Sequence, residues 1–405
     1  MDKLTNPIKY LGNELEYLKK VLESESWSAT AGSWNRVFEK AFAEKCGVQY
    51  AVAMNSGTST LHAALEAAGV GPGDEVISPA LTVFMNTSST IHANAVPVYA
   101  DIDPLTWTID PKDVVKKITA KTKAIMPVAL YGLPPDMDPI MELADKHGLV
   151  VIEDNAQCFG SLYKGRKTGT IGHMASYSFE NTKHISCGEG GAVITNDEIL
   201  AEKVRKVGGH GFKNLTASEG RVRLRAEEFQ HPDYKRHSEL GWNYRLPEFN
   251  AAVALAQLER VDELVRLRIE SANMFIDVMR ECDFLKPQAE PDGYTNTYYT
   301  LGVLYEGEEK LGVSWKEFRK RYVDMGGDGI YGAWSVPYLE PVMVNRTYVK
   351  RCPWVYERVR YGKGLCPTAE RIQPRLMQFK TNYRDLDLAR QKADILKRLI
   401  RELKK

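Results

Sequence analysis

Three short stretches of this chain hold residue types that could do chemistry. The first is Tyr177-Ser178-Phe179-Glu180-Asn181-Thr182-Lys183-His184-Ile185-Ser186-Cys187-Gly188-Glu189-Gly190-Gly191. Glycines at that density ahead of a strand make poor helix and favour positive φ or close backbone approach. A lysine held in such a turn can lose part of its basicity by desolvation and act as an amine nucleophile toward an aldehyde. Read singly, Lys183 is first of all a solvated surface lysine. The second stretch, Val151-Ile152-Glu153-Asp154-Asn155-Ala156-Gln157, sets acidic side chains at the carboxyl end of an apolar run, where open α/β sheets bind ligands. A carboxylate there would favour the protonated form of a heterocycle nitrogen; a helix cap or a buried ion pair accounts for the same residues. The third, Asn55-Ser56-Gly57-Thr58-Ser59, lies between a strand and a helix. Free N–H groups and the positive helix end there suit a phosphate, and a plain N-cap explains Ser56 or Thr58 as well. No G-x-G-x-x-G follows a strand and no P-loop pattern occurs.

The elements that must position these stretches alternate. Runs at Tyr50 to Met54, Glu75 to Ser78, Val96 to Ala100, Ala124 to Pro127 and Leu149 to Glu153 read as strands. Thr58 to Ala68 reads as a helix, as does a segment from Asp136 that puts Met137, Ile140, Met141 and Ala144 on one face and stops at Gly148. This is the pattern of a mostly parallel sheet covered by helices. Ala175 to Phe179 and Ala192 to Thr195 then follow closely with no helix between, and a site is expected at that break. Residues 208–240 read as one long loop, a length uncommon unless functional or disordered. Pro247 is expected to open a single long helix through Ala251, Ala254, Leu255, Leu258, Val261 and Val265. The rest reads as a smaller α+β segment closed by an amphipathic helix carrying Leu388, Ile395, Leu396, Leu399 and Leu403. We expect two domains, 1–255 with an N-terminal helical segment and 256–405.

Composition narrows the class. A chain of 405 residues implies two domains by default. Lysine and arginine number 54 against 53 acidic residues, net +1, which argues against a protein held to nucleic acid or anionic membrane by its overall field. No apolar run of about 18 residues exists to span a bilayer, and the first residues lack a signal-peptide pattern. The six cysteines are scattered without CxxC pairs or metal-ligand spacing, which suits a reducing cytoplasm and no metal.

A phosphate-binding turn, an acidic residue about 100 positions later and a lysine about 30 beyond it resemble, in that order, the fold-type I pyridoxal phosphate enzymes. More narrowly, the chain resembles the DegT/DnrJ/EryC1/StrS sugar aminotransferases. The matching motifs are SGTST at 56–60, YGLPPDMD at 131–138, VIEDNAQ at 151–157, SFENTK at 178–183, GEGG at 188–191 and GWNYRLPE at 241–248. The resemblance implies an α/β large domain with a mostly parallel seven-stranded sheet, a smaller α+β domain, and pyridoxal 5'-phosphate cycling through pyridoxamine 5'-phosphate. It makes Lys183 the catalytic lysine that bonds the cofactor and shuttles a proton. It makes Asp154 the partner of the pyridine nitrogen and Gln157 a hydrogen-bond partner of the ring hydroxyl oxygen. Ser178 with the backbone of Gly57 and Thr58 would hold the phosphate. Asn243 would reach the cofactor phosphate of a neighbouring subunit, making a homodimer with shared sites the working unit.

Some positions depart from the family pattern. Dehydratase relatives carry histidine in place of the lysine, but counting from Ser178 and from Gly188 lands on Lys183, so His184 is a neighbouring polar or structural residue. Where the family stacks an aromatic ring on the cofactor, this chain has Val83, with Phe84 next. Arg221, Arg223, Arg225, Lys235 and Arg236 in the long loop could meet nucleotide phosphates or form a solvated charged face, and His210 is a weak pocket candidate. The tail around Cys366 to Glu370 and Gln378 to Tyr383 also departs. The expected activity is transfer of an amino group from an amino acid, L-glutamate by family habit, to a nucleotide-linked keto-sugar. A sugar phosphate, a cyclitol ketone or another small ketone is the alternative acceptor. A non-catalytic sensor of cofactor or sugar is the alternative of another class, opposed by the intact Lys183, Asp154 and Gln157 and by the lack of a basic recognition helix.

Overall fold

The computed structural model describes residues 5–30, 32–220 and 225–405. Two N-terminal helices, α1 (Glu14–Glu23) and α2 (Trp34–Cys46), precede an alternating series: β1 (Tyr50–Met54), α3 (Gly57–Ala67), β2 (Glu75–Pro79), α4 (Met85–His92), β3 (Val96–Ala100), α5 (Pro111–Lys117), β4 (Thr122–Ile125), α6 (Met137–His147) and β5 (Val150–Asp154). Then come β6 (Met174–Ser178), β7 (Gly191–Thr195) and α7 (Glu198–Gly208). The seven strands form one sheet in the order β1-β7-β6-β5-β4-β2-β3. Only β7 runs antiparallel to its neighbours, β1 and β6; the remaining pairings are parallel. A sheet covered on both faces explains why its strands read as continuous apolar runs.

Local chemistry sets the boundaries. The Ser56 side chain accepts the Ser59 amide at the head of α3, and Asp110 accepts from Lys112 ahead of Pro111. Gly148, left-handed at φ 64°, ends α6 as expected. The β6–β7 pair is the break in the alternation, and it faces the turn that carries Lys183.

The single long helix expected after Pro247 is instead two, α8 (Glu248–Glu259) and α9 (Val261–Met279), broken at Arg260 with φ −108° and ψ 7°. The break has a reason. Arg260 leaves the helical path to donate to the Lys9 carbonyl at 3.2 Å and to Glu263 in the first turn of α9 at 3.1 Å, so α8 lies on α1 and α2 while α9 turns to the C-terminal helix. Among the described residues of 209–240 the chain is irregular apart from one helical turn at 226–229.

The smaller unit is a four-stranded antiparallel sheet of β8 (Leu285–Pro287), β9 (Leu301–Tyr305), β10 (Tyr331–Gly332) and β11 (Leu376–Phe379), in the order β8-β9-β11-β10. It is flanked by α10 (Trp315–Asp324) and closed by the amphipathic α11 (Leu386–Leu403). Its core gathers Phe275, Phe284, Phe318, Tyr322, Phe379 and Leu396. Residues 333–372 return to the large sheet: Tyr361 donates to the Pro97 carbonyl at 2.7 Å, and the Asp101 carboxylate accepts the amides of Thr368 and Ala369, each at 2.9 Å.

Candidate active site

Glu153 and Asp154 are neighbours on β5, so the pleat sends them to opposite faces. Glu153 accepts the amides of Gly169 at 2.7 Å, Ile171 at 2.9 Å and Gly172 at 2.6 Å, which makes it a clasp for a loop. Asp154 accepts the Ala156 amide on Oδ1 at 3.0 Å and the Asn86 side-chain amide on Oδ2 at 2.9 Å. Thr82 donates to Asn86 Oδ1 at 2.8 Å, which fixes the amide's orientation. Burial pushes the Asp154 carboxyl up, and the Ala156 and Asn86 hydrogen bonds and the Lys183 charge pull it back. Asp154 is 1% exposed, and no lysine, arginine or histidine among the described residues forms an ion pair with it. A buried carboxylate with hydrogen-bond donors but no ion-paired cation fits a protonated ring nitrogen.

Lys183 sits half-buried in the turn after β6. Its amide bonds the Glu180 carbonyl at 3.0 Å, and the Glu180 carboxylate takes the Thr182 amide at 2.9 Å and hydroxyl at 2.6 Å. The Lys183 Nζ lies 4.4 Å from the centroid of the Tyr299 ring, whose hydroxyl is 2.8 Å from that of Thr182. Where the turn rejoins the sheet, Gly191 is required: a Cβ there would stand 2.6 Å from the Tyr177 carbonyl oxygen and 2.8 Å from that of Ser56. That close approach brings the Lys183 turn against the head of α3.

The head of α3 forms a cradle with Ser178. A Cβ on Gly57 would lie 2.8 Å from the Ser178 Cβ and 3.3 Å from its Oγ. Ser56 takes the Ser59 amide on its side chain and the Thr60 amide on its carbonyl. The Gly57 and Thr58 amides are left to face outward with the positive end of the helix. Gln157 accepts the Tyr131 amide on Oε1 at 2.9 Å, which leaves its NH2 group as the donor. These features together fit a phosphorylated pyridine aldehyde: amides and a serine for phosphate, a carboxylate for ring nitrogen, an amide N–H for ring oxygen and an amine for aldehyde.

Other expected residues fall elsewhere. Phe84 packs against the cluster of Ile91, Met343, Tyr348, Cys352 and Tyr356, and Val83 beside it is partly buried. Asn243 is exposed on an extended segment beside Gly209, with its carbonyl 3.5 Å from the Asn55 side chain. His184 is buried; its Nε2 bonds the Thr297 carbonyl at 3.0 Å, and burial beside Arg268 holds its pKa well below the ordinary histidine value. Burial and this bond suit a structural contact. His210, at φ 63°, uses its carbonyl to accept from His237 at 2.8 Å. Arg225 is exposed ahead of the 226–229 turn. Arg221 and Arg223 lie outside the described residues.

Sequence reasoning missed Asn86, Thr82 and Tyr299. Asn86 lies 68 residues from Asp154, and no local pattern marks it. Among the described residues no cluster of three or more histidine, cysteine or acidic groups is placed to hold a metal, and no helix is long and apolar enough to cross a membrane.

Comparison with known proteins points the same way. The profile of the DegT/DnrJ/EryC1/StrS aminotransferase family matches residues 10–343. The GDP-perosamine synthase of Caulobacter vibrioides is 43% identical over 258 residues, a match spanning 64% of this chain and 64% of that protein. The L-glutamine:2-deoxy-scyllo-inosose aminotransferase of Streptoalloteichus tenebrarius is 33% identical over 380 residues, 90% of this chain and 86% of its own. Among solved structures, an aminotransferase from Psychrobacter cryohalolentis superposes with a TM-score of 0.86 at 30% identity, covering 99% of this chain and 100% of that one.

Proposed function

From the premise that the chain belongs to the DegT/DnrJ/EryC1/StrS aminotransferase family, we propose that it transfers an amino group from an amino acid, L-glutamate in the first instance, to a nucleotide-linked keto-sugar. Pyridoxal 5'-phosphate would supply the electron sink for the carbanion formed at the substrate carbon. The observation that carries the reading is the buried Asp154, without an ion-pair partner among the described residues, within reach of the Lys183 charge and in the same sheet as the Gly57–Ser178 cradle.

Each residue then has a task. Asp154 keeps the ring nitrogen protonated, and the Asn86 and Ala156 donors keep Asp154 ionised in spite of burial. The Gly57 and Thr58 amides with the Ser178 hydroxyl bind the phosphate at the positive helix end. Gln157 donates to the ring oxygen, and Val83 covers the ring as an aliphatic lid in place of an aromatic one. Lys183 Nζ moves a proton to and from the substrate carbon, which requires its position to hold within a few tenths of an ångström. Asn243, exposed and extended, reaches the phosphate of a second copy's cofactor, so the working unit is a homodimer with shared sites.

One observation favours a second acceptor. The relative named for 2-deoxy-scyllo-inosose matches 90% of this chain, against 64% for the GDP-perosamine synthase. A cyclitol ketone taking its amino group from L-glutamine is therefore the competing reading. Half-reactions of the amino-loaded protein with nucleotide-linked keto-sugars and with free cyclitol ketones test both. Turnover with nucleotide-linked sugars alone supports the first reading, turnover with cyclitols alone supports the second, and turnover with neither rejects both acceptors.

A further inference from the structure

The Lys183 turn is gripped from behind by two cations that reach it from distant parts of the chain. Lys9 Nζ donates to the Lys183 carbonyl at 2.7 Å and lies 3.4 Å from that of Asn181. Arg268, on α9 and 4% exposed, donates through Nη2 to the Thr182 carbonyl at 2.6 Å and the Lys183 carbonyl at 3.2 Å. Its Nη1 donates to the Tyr299 carbonyl at 2.6 Å. Thus one guanidinium holds both the backbone at the root of the lysine and the residue whose ring lies 4.4 Å from the lysine's amine.

The segment that brings Lys9 is itself tied down. Asn6 donates to the Asn382 carbonyl at 3.1 Å and accepts the Arg384 amide at 2.7 Å, and Arg260 at the helix break donates to the Lys9 carbonyl at 3.2 Å. Burial, with the charges of Arg268 and Arg384, brings the Lys9 ammonium down to about 7, and burial, with Arg384, brings Arg268 down to about 10. Neutral donors would anchor a turn at less cost. What two convergent donors add, Arg268 charged at neutral pH and Lys9 charged below about pH 7, is a short, stiff hold on one carbonyl.

We infer that Lys9 and Arg268 are positioning residues that grip the Lys183 carbonyl and so set where the Lys183 amine meets the cofactor aldehyde and the substrate carbon. The inference rests on the reading of Lys183 as the cofactor lysine. A lysine side chain has four rotatable bonds, so a fixed root narrows the volume its amine explores, and a 1 Å displacement at a reacting centre costs on the order of 100-fold in rate.

The test uses the full chain loaded with pyridoxal phosphate, comparing wild type with Lys9→Met, Lys9→Gln and Lys9→Arg. Borohydride trapping and peptide mapping on wild type come first; label on a residue other than Lys183 rejects the underlying reading before any Lys9 variant is read. With label on Lys183, the visible band of the lysine-bound cofactor is titrated with pH and kcat and KM for the amino donor are measured. The expected result for Lys9→Met is a band titrating at a shifted pH and kcat lowered about tenfold with KM nearly unchanged, at unchanged far-UV circular dichroism. Lys9→Arg restores both toward wild type. A folded Lys9→Met or Lys9→Gln with the wild-type band titration and wild-type kcat overturns the inference. Should Lys9→Met fail to fold, Lys9→Gln, which keeps a neutral donor, decides by the same two readouts.

Discussion

The side-chain amide of Asn86 donates to Oδ2 of Asp154 at 2.9 Å, and its own oxygen is held by Thr82 at 2.8 Å. Asn86 cannot turn its carbonyl toward the carboxylate without breaking both bonds, so a donor always faces Asp154. Since burial raises the Asp154 pKa and this donor opposes the rise, Asn86 helps decide whether the acid stays ionised opposite a protonated ring.

Replacing Asn86 by alanine removes a hydrogen bond to a buried charged group, worth about 1.5–3 kcal/mol. We expect kcat/KM to fall roughly 10- to 100-fold and cofactor affinity to weaken. Asn86→Asp should be worse, because like charges would oppose each other in a buried site. Equal activity of all three proteins would remove Asn86 from the account.

Gly57→Ala fills the cradle. The new Cβ would stand 2.8 Å from that of Ser178, so Ser178 or the head of α3 must shift at the place assigned to the phosphate. Equilibrium dialysis should show pyridoxal phosphate bound at least about tenfold more weakly, from the loss of one charge-assisted hydrogen bond or more. Wild-type affinity in Gly57→Ala would place the phosphate elsewhere.

Val83 and Phe84 separate by two readouts. Phe84 packs with Ile91, Met343 and Tyr348, so Phe84→Ala should lower the melting temperature, by about 1–3 kcal/mol of stability for a half-buried ring, and leave the visible band in place. Val83→Ala should do the reverse, altering the band or cofactor retention with little change in melting. The opposite pattern would put Phe84 over the ring.

Lys9 makes a pH-dependent contribution whose sign follows from its lowered pKa. Burial, and then the charges of Arg268 and Arg384 that face its ammonium, bring it to about 7 from an ordinary 10.5, while Glu180 and Cys187 pull the other way. Between those two values the unfolded chain holds a proton that the folded chain has released, so this group makes stability rise with pH across that window. Below about pH 7 the folded state carries the whole cost of the buried charge. The melting-temperature advantage of Lys9→Met over wild type should therefore shrink from pH 7 to pH 10. A difference that stays constant with pH would mean Lys9 titrates normally.

The strands and the reactive residues were legible because each leaves a local mark: an apolar run, a turn signal or a cluster of glycines. Glu153 and Asp154 could not be told apart, because adjacent acids on a strand differ only in which face the pleat gives them. Glu248, part of the GWNYRLPE stretch, carries no local sign that its carboxylate takes the Trp34 amide at 2.6 Å and the Asn35 side chain at 2.7 Å to start α2. The helix break at Arg260 was hidden by an apolar spacing that runs through it unbroken. Lys9 and Arg268 meet Lys183 across 174 and 85 residues, and only the folded chain brings such pairs together.

The measurement that bears most directly on the central claim is the absorption spectrum of the purified, cofactor-supplied protein before and after L-glutamate, beside Lys183→Ala. The account predicts a visible band in wild type that bleaches with L-glutamate as 2-oxoglutarate appears, and no such band in Lys183→Ala. A protein that remains colourless with added pyridoxal phosphate, or a Lys183→Ala variant that keeps the wild-type band and half-reaction, would contradict it.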